Sequence, residues 1–291
     1  SAASNEPRID FLNNTKGGLL LEPQRTNSLI YSDDFSQSSW LKINTTATDN
    51  QIITPSGILT GGKVQRTSTS ASYFQQLVNQ STSGNYYSIS VWVKKGNSDR
   101  VAFRLQTNFP DRYDVRFVFS TESIEYDQVF GDLTNGSYNV VKYPNGWYRI
   151  EITVKTASDN TQARLALSPR VSTGNIDTTD TSSDAFCYIW GAQLETSGNT
   201  SSGYPTSYIP TSSAAVTRVV DTCGSTDNLS TLIGQSEGTL FIDFEFFEQG
   251  TTSSYQMPIG LYNSGGSGTQ NVRIDNYSGK LRIYIISSGG T

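Results

Sequence analysis

Three pairs of acids stand close together in this chain: Asp33-Asp34, Asp111/Asp114 and Glu122/Glu125. Two carboxylates at a suitable separation are what glycoside hydrolysis requires. Acids at this density, however, occur on any solvated surface. The 291 residues contain no histidine, which removes the commonest general base and excludes Ser–His and Cys–His catalysis within the chain. With no nucleophile motif and dispersed acids, the chain is expected not to be an enzyme. The two thiols, Cys187 and Cys223, show no zinc-ligand spacing. A disulfide, a buried thiol and an unpaired one are all compatible with their separation.

Binding chemistry fits the residues better than catalysis. A sugar site needs an aromatic platform against the apolar ring face and polar side chains to fix hydroxyls. Trp92 falls on the polar face of its strand, between Ser90 and Lys94, and Arg104 and Glu151 are placed on the same face of neighbouring strands. A second group, Phe109, Arg112 and Tyr113, sits in "QTNFPDRYD" (106–114), where Pro110 interrupts a strand. Irregular connections carry function more often than the scaffold does. Each group has a plainer reading: Trp92 packs under a loop or between sheets, and Phe109 folds back over the end of the sandwich. Trp40 and Trp147 open strands and read as core.

The elements that must hold these residues are strands. "YYSISVWVK" alternates Tyr87, Ile89, Val91 and Val93 against Ser88, Ser90, Trp92 and Lys94. "VAFRLQ" sets Val101, Phe103 and Leu105 against Ala102, Arg104 and Gln106, and "WYRIEITVK" sets Tyr148, Ile150, Ile152 and Val154 against Arg149, Glu151 and Thr153. "ARLALS" and "AFCYIWGAQLE" continue the pattern. Turns are expected at Gly61-Gly62, Gly84-Asn85, Gly96-Asn97, Asn135-Gly136 and Pro144-Asn145-Gly146. Aromatic residues reach 11% and charged residues only 16%, a profile of short strands joined by polar turns. The net charge of −5 argues against nucleic acid as a partner, and no run of 18 apolar residues suits membrane insertion. The start, "SAASNEPRID", lacks an initiator Met and an apolar signal core, and reads as a processed end or a piece of something longer.

One-faced strands must pair off as two packed sheets. The fold class is therefore all-β: residues 26–196 read as a jelly-roll β-sandwich, preceded by an N-terminal arm, 1–25. "GLLLEPQRTN" places a short apolar strand, Leu19–Leu21, in that arm, either covering a sandwich edge or adding to a neighbour's sheet. Residues 197–216 lose apolar content and contain Pro205 and Pro210, so they read as a linker docked by Tyr204, Tyr208 and Ile209. A second strand-rich unit, 217–291, opens with "VTRVVD". It carries "GTLFIDFEFF" (238–247) and "GKLRIYII" (279–286), and is expected to be cut short inside its domain.

The blocks "GLLLEPQRTNSLIYSDDFSQSSW", "YSISVWVKKG", "NGWYRIEITV", "YIWGAQLE" and "TSYIPTSSAAVTRVVD", in this order over residues 17–221, resemble a group of bacteriophage virion proteins described as tail or head fibre proteins. The middle blocks are also similar to carbohydrate-binding jelly rolls of families 4 and 9. The residues after 221 are similar to the start of a concanavalin A/laminin-G-like sandwich. The resemblance implies a non-enzymatic protein of the virion surface, homo-oligomeric within an assembly, with other virion proteins and host surface glycans as partners. It also admits, without requiring, a structural calcium where first and last strands meet; Asp33, Asp34 and Asp184 are the nearest acids, without EF-hand spacing. No other cofactor is expected. Two further readings stand beside it: the binding-module region of a secreted polysaccharide-degrading enzyme, and a purely structural virion spacer.

Overall fold

The computed structural model describes residues 8–11, 16–79, 84–156, 160–197, 203–222, 241–244, 255–262, 271–277 and 280–286. The chain divides into Ser1–Asn199 with Gly203–Asp221, and Thr200–Ser202 with Thr222–Thr291.

The first unit opens with three short strands, β1 (Ile9–Asp10), β2 (Gly18–Leu19) and β3 (Arg25–Asn27). Then follow β4 (Leu41–Ile43), β5 (Thr45–Ile53), β6 (Leu59–Arg66), β7 (Tyr73–Asn79), β8 (Tyr86–Lys95), β9 (Arg100–Gln106) and β10 (Arg112–Val118). β11 (Ser123–Phe130), β12 (Thr134–Tyr143), β13 (Trp147–Lys155), β14 (Gln162–Arg170), β15 (Phe186–Ser197) and β16 (Val216–Arg218) complete it. They form two six-stranded antiparallel sheets, in the orders β11-β10-β9-β14-β7-β4 and β12-β13-β8-β15-β6-β5, facing each other as a sandwich.

Period two explains the core. Tyr87, Ile89, Val91 and Val93 of β8 meet Val101, Phe103 and Leu105 of β9, with Ile150, Ile152 and Val154 of β13 and Leu165 and Leu167 of β14, in one buried cluster. Each such side chain contributes about 1.5–3 kcal/mol when taken out of water. Trp40 belongs to this cluster, and Cys187 within it is a buried free thiol. Cys223 lies outside the described residues.

Two of the expected turns are not turns. Gly61 and Gly62 lie inside β6, where a Cβ on Gly61 would approach Ile52 to 2.6 Å. Asn135 and Gly136 lie inside β12 at a register shift, with Asn135 at φ 52°. These residues mark a close backbone approach and a bulge. Pro144–Gly146 is a single 3-10 turn with Asn145 at φ 62°, as its composition suggests.

The expected linker and boundary require correction, because residues 203–221 belong to the first unit. β15 runs to Ser197, and β16, expected to open the second unit, pairs with β3 through Val216↔Asn27 and Arg218↔Arg25. Between them, Thr206 N donates to Glu195 at 2.8 Å, Ile209 N to Gln193 Oε1 at 2.7 Å, and Asn27 Nδ2 to the Ile209 carbonyl at 2.9 Å. A segment too polar to make a core element is held instead by buried polar side chains of the strands it crosses. The arm is tied into the same place: Arg8 and Arg218 both pair with Glu22, and Arg8 also pairs with Asp221. β2 pairs with β1 and with neither six-stranded sheet, so the arm's apolar strand does not cover a sandwich edge by pairing.

In the second unit, β17 (Tyr255–Tyr262), β18 (Asn271–Tyr277) and β19 (Lys280–Ile286) form a three-stranded antiparallel meander. β19 is the strand expected at 279–286. Of the strand expected at 238–247, residues 241–244 are described and are not strand; the others lie outside the described residues. Most of the residues behind the concanavalin A-like expectation lie outside them too.

Candidate functional site

Trp92 does sit on the outer, polar-patterned face of β8, but that face is closed. Its ring centroid lies 5.0 Å from that of Trp190 and 5.7 Å from those of Tyr143 and Tyr208, and Trp92 is only 4% exposed. Arg149, opposite Trp92 in the register, lies 4.5 Å over its ring and donates to the Thr206 carbonyl at 2.6 Å. Tyr208 and Thr206 come from the segment that composition assigns to a linker. The open platform at Trp92 is therefore corrected to a packing cluster, which Trp147 also joins outside the main core. Glu151 borders it, engaged by Arg149 at 2.9 Å and by Asn139 at 3.0 Å. Arg104 is not beside them: it lies on β9, in the other sheet.

The outer face of that other sheet is a different surface. Alternation turns Arg100, Arg104, Arg112, Arg116, Arg164 and Arg170 outward, and the register sorts them into rows. One row runs Phe130–Arg112–Gln106–Arg164–Leu77 across β11, β10, β9, β14 and β7. The next runs Gln128–Asp114–Arg104–Ala166–Gln75. Beyond it, residues 171–181 fold over the sheet, with Ile176 packed on Ala102 and Ala166. Arg170 fastens that loop by donating to the carbonyls of Asn175, Thr178 and Thr179, and Arg116 by donating to that of Gly174.

The loop's polar contacts end at Arg104, whose Nη1 lies 2.7 Å from Asp177. Arg104 also grips Asp114 through two bonds of 2.5 and 2.9 Å. Burial alone would lower the Arg104 pKa, but the two carboxylates outweigh it and the pKa is raised. The row Phe130–Arg112–Gln106–Arg164–Leu77 remains uncovered by this loop. Arg112 lies 4.0 Å over the Phe130 ring, an aromatic–guanidinium plane, and Leu77 is exposed.

The connection between β9 and β10 borders this row. Thr107 N donates to the Asp111 carbonyl at 3.0 Å, Asp111 N to that of Asn108 at 2.7 Å, and Thr161 Oγ1 to Asn108 Oδ1 at 3.0 Å. At the tip of this tied loop Phe109 is 80% exposed, so it is not folded over the sandwich end. Arg112 and Tyr113 belong to β10, not to the loop, and Tyr113 is buried in the core. The structure thus places Arg104 and Arg112 on the outer face of one sheet, with Phe109 on the loop joining their strands, and removes Trp92, Glu151 and Tyr113 from that face. Phe130 and Arg164 complete the surface beside the buried Gln106 and Asp114; of these four, only Asp114 is singled out from sequence, as one of an acid pair. Their signal was the alternation, but only the pairing of β14 and β10 on either side of β9 makes them neighbours.

Two of the three acid pairs do not act as pairs. Glu122 accepts from Lys142 and Tyr148, whereas Glu125 is held by Arg100 and Arg116. Asp111 accepts from Asp132 N at 2.9 Å, and Asp114 serves Arg104. Asp33 and Asp34 line a cleft of about 300 Å³ with Asp49, Asn50, Ser36 and Thr60. A hydrogen bond with Asp49 leads in drawing the Asp34 pKa down to about 2, and burial leads in raising that of Asp49. These carboxyls already accept from Phe35 N, Ser36 N, Ser36 Oγ and Gln37 Nε2. Nearby, Lys42 Nζ donates to the Ser36, Gln37 and Trp40 carbonyls at 2.9–3.1 Å. Asp184, instead of joining them, caps Ser182. The Asp33/Asp34/Asp184 set that the sequence admits for calcium does not come together, and no group of three or more candidate metal ligands occurs among the described residues. No described helix is long and apolar enough to cross a membrane.

No family model and no curated protein matches the chain. Among solved structures, it is similar to the enzymatically active domain of bacteriophage CBA120 tailspike protein 4, at 12% identity and TM-score 0.35, covering 58% of this chain and 21% of that one. It is similar to the N-terminal CBM22-1–GH10 modules of Clostridium thermocellum endo-1,4-beta-D-xylanase 10B complexed with xylohexaose, at 17% identity and TM-score 0.34, covering 62% and 30%. A family 11 carbohydrate-binding module from Clostridium thermocellum, in complex with a beta-1,3-1,4-mixed-linked tetrasaccharide, aligns at 11% identity and TM-score 0.23, covering 58% and 97%. The chain thus spans less than a third of the first two proteins.

Proposed function

We propose that this chain is a carbohydrate-binding surface protein that holds glycan on the outer face of the β11-β10-β9-β14-β7-β4 sheet and has no catalytic step of its own. The observation that carries the reading is the contrast between the two outer faces. Around Trp92 one is covered by residues 203–211 of the same chain, while the other leaves Arg112, Arg164 and Phe130 half-buried about a buried Gln106, with Phe109 at 80% exposure on the adjoining loop. Guanidinium and amide groups satisfy ring hydroxyls, and exposed aromatic planes stack on the apolar faces of sugars. The separate partners of Asp111 and Asp114 and of Glu122 and Glu125, with the absence of histidine, support a binding role over a hydrolytic one. The five ordered sequence blocks support placement on a phage virion, as a fibre or decoration protein facing host glycans. A module of a secreted polysaccharide-degrading enzyme would use the same face.

A glycan array with the full chain, read beside Gln106→Ala and Phe109→Ala, tests the proposal. Binding weakened several-fold or more in both variants, with folding unchanged, is the expected result. Binding unweakened in both, or no binding to any glycan, overturns it. Release of sugar from bound polysaccharide would overturn the non-enzymatic part.

A further inference from the structure

The outer face of the β9-centred sheet carries more positive charge than its own acids neutralise, in a chain whose net charge is −5. Of its arginines, Arg100 and Arg116 share Glu125, and Arg104 takes Asp114 and Asp177. Arg112 reaches Asp114 only at 3.3 Å, on oxygens already engaged by Arg104. Arg170 is used up by loop carbonyls. Arg164 stands apart. Among the described residues it makes one hydrogen bond, Nη1 to Gln75 Oε1 at 3.3 Å, with no ion pair, and its Nε is buried without a partner.

A half-buried guanidinium with a single long, neutral bond is poorly compensated, and a planar carboxylate is its best complement. The register fixes the spacing of the two strands that carry these cations. Arg112 and Arg164 both face Gln106 from opposite sides, so their backbones lie two strand spacings apart, about 9–10 Å. That is the scale of alternate units along an extended sugar chain, with Gln106, itself buried, in the strand between the two arginines. Phe130 under Arg112 and exposed Leu77 beyond Arg164 close the two ends of the row with apolar surface.

We propose that this row selects acidic glycans, with Arg164 and Arg112 each receiving the carboxylate of a uronic acid residue. The inference rests on the carbohydrate-binding reading above and deepens it. Charge-assisted bonds to carboxylate are roughly twice as strong as neutral ones, so the discrimination should be large.

The test is titration calorimetry of the full chain with oligogalacturonate, carboxyl-reduced oligogalacturonate, xylohexaose and dextran sulfate. Expected is binding of oligogalacturonate at least tenfold tighter than of the carboxyl-reduced form, weakened by salt and reduced tenfold or more by Arg164→Gln. Arg164→Lys should restore only part, because an ammonium lacks the planar fork. Melting curves for each variant confirm that the fold persists; Arg112→Gln serves as the second variant if Arg164→Gln does not fold. Equal affinity for both galacturonate forms, tighter binding of dextran sulfate, or no response to either arginine variant overturns the acidic selectivity. Xylohexaose binding that is lost in Gln106→Ala would then leave the carbohydrate-binding reading standing. If none of the four binds, the acidic proposal falls, and the array decides the parent reading separately.

Discussion

Tyr208 stands edge-on to Trp92, their ring centroids 5.7 Å apart and their planes at 71°. The contact joins a strand of the sandwich to a segment that follows the last long strand, and it converts an outward-facing tryptophan into a buried one. Tyr208 is fixed in turn by a 2.6 Å hydrogen bond between its hydroxyl and Ser32. Replacing Trp92 by Ala should therefore cost about 3–5 kcal/mol of stability and leave glycan binding by the folded protein intact. Thermal melting and a binding titration on the same variant check this. Lost binding at an unchanged melting temperature would show that Trp92 is an accessible platform after all.

The strands and their core faces were legible because alternation directly reports burial in one-faced sheets. Val91 and Ile150 sit in the core where period two puts them. What covers each outer face was not legible. Residues 203–211 and 171–181 are rich in small polar residues and carry no periodic signal. They are held by long-range bonds such as Asn27 Nδ2 to the Ile209 carbonyl and Arg116 Nη1 to that of Gly174, separated by 182 and 58 positions in sequence and brought together only by the fold. For the same reason Arg104 could not be assigned to a sheet: alternation fixes which way a residue points, not which strand lies beside it. Arg164 escaped notice for want of the β14–β9 pairing.

The position of the boundary can be tested by truncation. A chain ending at Asp221 retains β16, Tyr208 and the Glu22–Arg218 pair, and should unfold in one cooperative transition near the temperature of the first unit in the full chain. A chain ending at Ser197 strips the cover from Trp92 and Trp190 and leaves the buried Gln193 and Glu195 without their backbone partners. It should melt many degrees lower or aggregate, since one kcal/mol is worth about 2–4 °C in a domain of this size. Equal melting temperatures for the two chains would return 197–221 to the status of a linker.

Asp180 gives the loop over the arginine face a defined pH response. Its carboxylate is buried 3.9 Å from Arg66, near Arg170, and accepts from Ser172 Oγ and from the backbone of Val171, Ser172 and Thr181. Burial alone would raise its pKa, but these hydrogen bonds outweigh burial and lower it. A carboxyl held below its unfolded pKa contributes stability that is fully present above the unfolded value. That stability is lost as pH falls through the folded one. Melting temperature should thus fall as pH drops below the ordinary aspartate range, and Asp180→Asn should flatten that part of the curve while lowering stability at neutral pH. An unchanged acid limb in the variant would assign the response to other carboxylates.

Phe109 offers the cleanest separation of binding from folding. At 80% exposure the ring contributes little to the sandwich, so Phe109→Ala should change the melting temperature by no more than a surface substitution does, about 0.5 kcal/mol or less. Its loop is held by backbone bonds from Thr107 and Asp111 and by Thr161 on Asn108, none of which uses the ring. The loop should keep its shape in the variant. If Phe109 stacks on a sugar ring at the border of the Arg112–Gln106–Arg164 row, its removal forfeits an aromatic contact of about 0.5–1.5 kcal/mol beyond area burial. Affinity should then fall several-fold with enthalpy and stability of the free protein unchanged. A variant that binds as tightly as the parent would confine the site to the sheet face itself, and the loop would be a tied connection with no part in recognition.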